Sequence, residues 1–256
     1  MNKLVFVTGA HDGTGLAIAE RFASEGWDVA VTSRKIERAE EAAQYIASKY
    51  GVTAFGFALE SPVEQQVIDT FNTLREKGYL VDTVVLNAAD LGIGMELFST
   101  TQEEYMRVVT TNMGWNFSIS REAAKHMREK GGGSIVFINS NSAYRVTPNR
   151  SAYCSSKAGA LGLMKTLALD LGKFNIKVNA VLPGLIKTVR WQANLNNCRE
   201  SMTNWTPLGD VAEFEDVANA AYYLGSDQSR NTTGAELIVD GGNSIQLTPQ
   251  KPEHLK

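Results

Sequence analysis

The sequence predicts an α/β fold, a three-layer, doubly wound parallel sheet of about seven strands. Two observations lead there. Short, continuous apolar runs alternate with longer stretches of helical spacing along the chain. The runs are apolar on both faces, as parallel strands covered by helices must be, and stretches long enough for crossover helices separate them.

In order, KLVFVTG is a buried strand closed by glycine, and LAIAERFASEG has helical spacing at Ile18, Phe22 and Ala23. VAVTSR is a second strand. RKIERAEEAAQYIASKYG, rich in Glu, Arg and Ala, is a helix stopped by Gly51. VTAFGFAL, PVEQQVIDTFNTLREKG and VDTVVLNAA repeat strand, helix and strand. Gln102 to Lys130 reads as mostly helical with Gly114 inside it, and GGGSIVFINS is a glycine turn entering a strand. SAYCSSKAGALGLMKTLALDLG is a long helix ending at Gly172, and IKVNAVLPG is a strand ended by Pro183. EFEDVANAAYYLG is the last helix and AELIVDGG the last strand. No repeat, low-complexity block or linker interrupts the chain, so residues 1–256 read as one domain. Only residues 188–210, TVRWQANLNNCRESMTNWTPLGD, break the alternation, which makes them a candidate substrate loop or a plain surface excursion.

Composition narrows the function classes. With 43% hydrophobic and 21% charged residues and a net charge of -3, the chain can bury a core but offers no argument for nucleic acid or an anionic membrane. The first apolar run stops at Thr8–Gly9 without a cleavage-like tail, and no apolar stretch reaches membrane-helix length. Cys154 and Cys198 make no disulfide framework, so a cytoplasmic protein is expected. His11, His126 and His254 form no metal constellation, and none is placed for a Ser–His–Asp triad. His126 reads as a helix-surface residue and Cys154 as a packed thiol.

Between the first strand and helix stands TGAHDGTG. Gly9 allows a tight exit from the strand, Gly13 a close backbone approach to a pyrophosphate, and Gly15 close helix–strand contact. The helix N-terminus would then face the phosphates. The spacing is not GxGxxG, so the reading depends on context. In the middle of the chain, YCSSK places Tyr153 and Lys157 on one helical face.

With these two motifs in this order, the chain resembles the short-chain dehydrogenase/reductase family, over nearly its whole length from Val5 to Gly242. LNAA, residues 86–89, sits where the family has Asn-Asn-Ala-Gly; PGLIKT, residues 183–188, matches its nicotinamide segment; VDGG closes the match. The resemblance implies a Rossmann-like, NAD(P)-dependent oxidoreductase with Asn112, Ser140, Tyr153 and Lys157 as catalytic residues. Tyr153 would be the general acid/base, made a phenolate more readily by the Lys157 cation. Ser140 would hold the substrate oxygen, and Asn112 a water leading from the lysine to solvent. The cofactor would lie against Gly9, His11, Gly13, Thr14, Gly15, Ser33, Arg34, Leu59, Glu60, Asn87, Ala88, Ala89, Tyr153, Lys157, Pro183, Gly184, Ile186 and Thr188. Ser140, Asn141, Tyr144, Tyr153 and Trp191 would meet the substrate, and Trp191, Met202 and Trp205 either line its pocket or pack the 188–210 segment.

The chain departs from the family at Ala89, whose methyl replaces a glycine, and at Leu59, where an aspartate often meets the adenine. Where an NAD-selective site has an acid after the second strand, this chain has Ser33 and Arg34, which favours NADP(H). Asp12 points the other way, so NAD(H) stays open. The resemblance also implies a homotetramer or dimer pairing the helices around 102–130 and 151–171. The helix carrying Ala158, Ala160, Leu161, Leu163, Met164 and Leu167 is apolar around much of its surface, through pairing or through burial in its own chain. The expected reaction interconverts a ketone and a secondary alcohol. Alternatives are a 3-oxoacyl-carrier-protein reductase and a non-catalytic nucleotide-binding regulatory protein.

Overall fold

The computed structural model describes residues 2–188, 203 and 205–248. Among these, seven strands form one parallel sheet: β1 Leu4–Val7, β2 Asp28–Ser33, β3 Ala54–Ala58, β4 Thr83–Leu86, β5 Gly133–Ile138, β6 Ile176–Pro183 and β7 Glu236–Val239. Their order is β3-β2-β1-β4-β5-β6-β7. The central strand β1 is wholly buried, pairing Val7 with Val31 on one side and Val85 on the other. The winding reverses between β1 and β4, so their C-terminal ends border the crevice where open α/β sheets take ligands.

Helices cover both faces. α1 Gly13–Ala23, α2 Ile36–Tyr50 and α7 Phe214–Gly225 bury Ile18, Phe22, Ile46 and Val217 against one face. α3 Glu64–Glu76, α5 Trp115–Lys130 and α6 Ser151–Gly172 bury Phe71, Ile119 and Met164 against the other. The segment expected as one long helix is α4 Gln102–Val109, a π turn at Thr110–Gly114, then α5. α4 begins with a capping box in which Thr101 and Glu104 exchange bonds, and α2 and α5 stop at left-handed Gly51 and Gly131. Among the described residues, no helix is long and apolar enough to cross a membrane. Much of the apolar surface of α6 is used within the chain: Ala160, Leu161 and Met164 are core, Leu163 and Leu167 pack at its margin, and Ala158 is exposed.

One expectation fails on this face of the sheet. His126 is not on the surface but buried at 2% exposure, in the stripe that also carries Ile119, Ala123 and Met127. Its ring stands edge-on to Phe71 at 5.2 Å, and its Nδ1 accepts the Val81 N–H at 3.5 Å. The polar residue type hid a position that helical spacing assigns to the core. Burial, followed by the charge of Arg75, lowers its pKa from 6.5 to about 4.

That burial makes stability depend on pH. As pH falls from about 6.5 towards 4, the unfolded chain takes up a proton that the folded chain refuses, so this site destabilises the fold progressively in that window. Urea unfolding at pH 7 and pH 5 should show a loss about 2 kcal/mol larger in the parent than in His126→Leu. Equal losses in the two proteins would show that His126 does not titrate in this way.

Candidate active site

At the end of β1 the chain turns sharply at Gly9, φ 61°, and reaches α1 through Ala10–Asp12. The turn is locked to the end of β4. Thr8 Oγ1 accepts the N–H groups of Asn87 at 2.9 Å and Ala88 at 3.0 Å. Asn87 Nδ2 returns two bonds, to the carbonyl oxygens of Thr8 at 3.0 Å and Gly9 at 3.1 Å. Gly15 lies directly beneath: a Cβ there would stand 2.3 Å from the Gly9 oxygen and 2.6 Å from Asn87 Nδ2. Gly13 holds φ 54°, and the Asp12 side chain makes no capping bond to α1. The first turn of α1 therefore keeps amide donors and its positive dipole end for an anion, and a pyrophosphate fits this cradle. Ala89 is not at positive φ, so its methyl is accommodated.

The adenosine end is basic. Ser33 is buried, while Arg34 and Lys35 are exposed at the mouth. Arg38, a residue the sequence reading missed, reaches back from the first turn of α2 to His11 Nε2 at 3.5 Å, and His11 also lies 3.4 Å from Asp12. Arg34 stands one residue past the end of β2, and Arg38 lies in the first turn of α2. Leu59 is only 2% exposed and its side chain belongs to the core, while Glu60 stays exposed. At the other end, Gly184 N–H donates to Val239 at 3.0 Å, and a Cβ on Gly184 would lie 2.6 Å from Asp240 Cβ. Ile186 bridges Ala212, and Lys187 pairs with Asp210 at 2.5 Å and Glu213 at 2.6 Å. These contacts hold the segment from Pro183 to Thr188 across the sheet edge. Trp191 and Met202 lie outside the described residues, as does most of the 188–210 segment.

The candidate reacting groups gather where β5 ends against the first turns of α6. Ser140 Oγ accepts the Ser142 N–H at 3.1 Å, and the Ser140 side chain stands close enough to the Tyr153 phenol to act on its ionisation. Lys157 Nζ donates to the Ile138 carbonyl at 2.9 Å and stands 5.7 Å from the Tyr153 ring centre. Asn139, missed in the sequence, ties the two elements together: its Oδ1 accepts the Ser140 N–H at 2.9 Å and its Nδ2 donates to the Lys157 carbonyl at 3.1 Å. Burial raises the Tyr153 phenol, while the Ser140 hydrogen bond and the charge of Arg150 pull it back. Burial lowers Lys157 to about 8.

Asn112 sits in the π turn at 1% exposure and bonds entirely within the protein. Its Oδ1 accepts the Asp90 N–H at 2.7 Å, and its Nδ2 donates to Asp90 O and Ser156 Oγ, both at 2.9 Å. Its own carbonyl accepts Asn116 Nδ2 at 2.8 Å. Asn112 thus clamps the loop after β4 to α6. Of the candidate substrate contacts, Asn141 and Tyr144 follow Ser140 in a short 3-10 turn, and the Tyr144 hydroxyl is held by Glu236 at 2.5 Å. Met95 is packed under Val108 and Ala152, whereas Leu97 and Phe98 are exposed.

The tight fit at Gly15 gives a direct test of the cradle. Gly15→Ala should destabilise the chain by about 1–3 kcal/mol and weaken NADPH binding at least about tenfold, read by thermal melting and by fluorescence titration. Unchanged melting and binding would contradict the close approach of Gly9, Gly15 and Asn87.

Comparison with known proteins agrees with this geometry. The sequence model of a family described as enoyl-(acyl carrier protein) reductase matches residues 9–244. The 3-oxoacyl-(acyl-carrier-protein) reductase of Chlamydia muridarum is 32% identical over 94% of this chain and 97% of its own length. The NADP-dependent (R)-specific alcohol dehydrogenase of Lentilactobacillus kefiri is 33% identical over 95% of this chain and 97% of its own. The L-sorbose reductase of Gluconobacter frateurii, solved with NADPH and L-sorbose, superposes with a TM-score of 0.89 at 28% identity, covering 96% of this chain and 98% of that one. With the whole parallel sheet, its glycine cradle and the Ser–Tyr–Lys group matched along the chain, this protein belongs to the short-chain dehydrogenase/reductase family and is an NAD(P)(H)-dependent oxidoreductase of carbonyl and hydroxyl substrates.

Proposed function

We propose that the chain interconverts a ketone and a secondary alcohol, with NADP(H) as preferred cofactor and Tyr153 as the general acid and base. The observation that carries this reading is the gathering of Tyr153 and Lys157, one turn apart on α6 with the ammonium 5.7 Å from the ring, against Ser140 at the C-terminal end of β5, tied to α6 through Asn139. A nicotinamide, when bound, supplies or accepts the hydride. The protein's part is to orient the carbonyl and move one proton. Ser140 holds the substrate oxygen by hydrogen bonding, which brings it within reach of the Tyr153 hydroxyl. In reduction that hydroxyl gives its proton to the oxygen; in oxidation the phenolate takes it back. The Lys157 ammonium, anchored on the Ile138 carbonyl, favours the phenolate, and Asn139 and Asn112 keep α6 in register with β5 and with the loop after β4.

NADP(H) preference rests on charge. Arg34 and Lys35 flank the end of β2 with no acid at Ser33, and Arg38 adds a third cation one turn into α2. A 2′-phosphate would gain charge-assisted hydrogen bonds there that a bare ribose would not. The reacting group named for each of the relatives above is a carbonyl or its alcohol, which supports a ketone as the oxidised partner.

Two measurements test this reading. Steady-state kinetics with both cofactors should give a kcat/KM at least about tenfold higher with NADPH than with NADH, and Arg34→Leu should erase most of that preference. A higher efficiency with NADH would refute it. Tyr153→Phe should lower turnover by about two to four orders of magnitude while leaving NADPH binding intact, since only the hydroxyl is removed. Turnover near the parent rate would overturn the assignment of Tyr153.

A further inference from the structure

Arg150 is the N-cap of α6, three residues ahead of Tyr153, and its side chain folds over the Tyr153 ring. Its guanidinium carbon lies 4.6 Å from the centre of the Tyr153 ring, closer than the Lys157 ammonium at 5.7 Å. Its Nε is buried without a partner, and among the described residues no side-chain hydrogen bond or carboxylate neutralises the guanidinium. Beside it opens a cavity of about 580 Å³ with Leu97, Ala143, Val146 and Cys154 in its wall. A cation that is partly buried and has no counter-ion among the described residues is screened less than one on an open surface.

We propose that Arg150 is a positioning residue for the proton transfer, a second cation stacked on Tyr153 that favours its phenolate together with Lys157. The inference rests on Tyr153 being the acid–base group. Its physical basis is an interaction of a guanidinium with the face of a tyrosine ring, strengthened by the partial burial of both groups. Tyr153 also lies in the first turn of α6, where the helix dipole favours a negative group.

The two cations do different work. Lys157 donates to a backbone carbonyl, and burial has lowered it to about 8, so its charge fades as pH rises past that value. Arginine stays protonated across the whole range in which a tyrosine ionises. Arg150 therefore maintains a positive field on the phenol where Lys157 no longer does. The other groups around Tyr153 do not substitute for it. Ser140, from the end of β5, is uncharged, and Cys154 on α6 raises the phenol. Across from α6, Asp90 is paired with Arg107, Tyr105 of α4 is bonded to Ser155 at 2.8 Å, and Tyr144 is held by Glu236, which also binds Lys165 at 2.7 Å.

The test is the pH dependence of kcat/KM in the oxidative direction, where the phenolate is the active form. Removing a nearby cation raises the pKa of the phenol, so Arg150→Gln should move the acidic limb up by about half to one pH unit. Below the limb this is a loss of about threefold to tenfold that vanishes at high pH. In the reductive direction the alkaline limb should move up by the same amount. Arg150→Lys, which keeps a charge, should restore at least half of the shift. Melting temperature and NADPH affinity should match the parent in both variants, and Arg150→Met serves if the glutamine variant folds poorly. A uniform loss at all pH values with unmoved limbs would overturn the proposal, as would equal shifts in the lysine and glutamine variants. Tyr153→Phe run alongside separates the two ideas. Full turnover in that variant sinks the role of Tyr153 itself, whereas an inactive Tyr153→Phe with an unmoved Arg150→Gln profile sinks only the second cation.

Discussion

The carboxamide of Asn87 holds the turn after β1 against the end of β4, and the active site is built outward from that lock. Its two donated bonds satisfy the Thr8 and Gly9 carbonyls, which a sharp turn at positive φ would otherwise leave exposed inside the crevice. The same bonds fix the height at which α1 begins. Because β1 and β4 are neighbours at the reversal of winding, this one side chain spans the place where helices on opposite faces diverge. A cofactor phosphate placed in this cradle would meet donors already aimed at it, with little ordering left to do on binding.

The chemistry depends on a second junction, between β5 and α6. Tyr153 and Lys157 lie on one helix, so their separation is set by helical geometry alone. Their position relative to Ser140 is not, and it is Asn139 that supplies it by bonding to both chain segments. From the opposite side, Asn112 bonds to Ser156 on the same helix. The π turn around Asn112 allows this, since one residue added to a helical turn redirects the side chain inward. Buried, mutually bonded polar groups resist rearrangement, and here they keep α6, with Tyr153 and Lys157, in register with Ser140.

Electrostatics set the working state of the site. Burial opposes charge on both Tyr153 and Lys157, raising the first and lowering the second, so each is drawn towards neutrality. Ser140 and Arg150 oppose that tendency at the phenol. An enzyme that must both give and take a proton benefits from such a balance, because neither protonation state is then far out of reach.

The sequence by itself determined the order of strands and helices, the glycine cradle, and the pairing of Tyr153 with Lys157. These follow from short-range rules: apolar periodicity, the steric freedom of glycine, and the repeat of the α-helix. It marked Arg34 as a cation beside the end of β2 for the same reason, since one residue past a strand is close to it in any fold. Only the tertiary structure decided what depends on meetings between distant segments. His126, read as a surface residue, is buried because α5 turns that stripe towards Phe71. The side chain of Leu59 packs into the core beside Val67 and Phe71 of α3 only once the sheet and helix meet. Asn139 and Arg38 acquire their partners only when β5 meets α6 and α2 meets the loop after β1. Arg150 gains its neighbour within one turn of chain, yet the absence of a counter-ion among the described residues, which gives it its field, is a property of the folded surroundings.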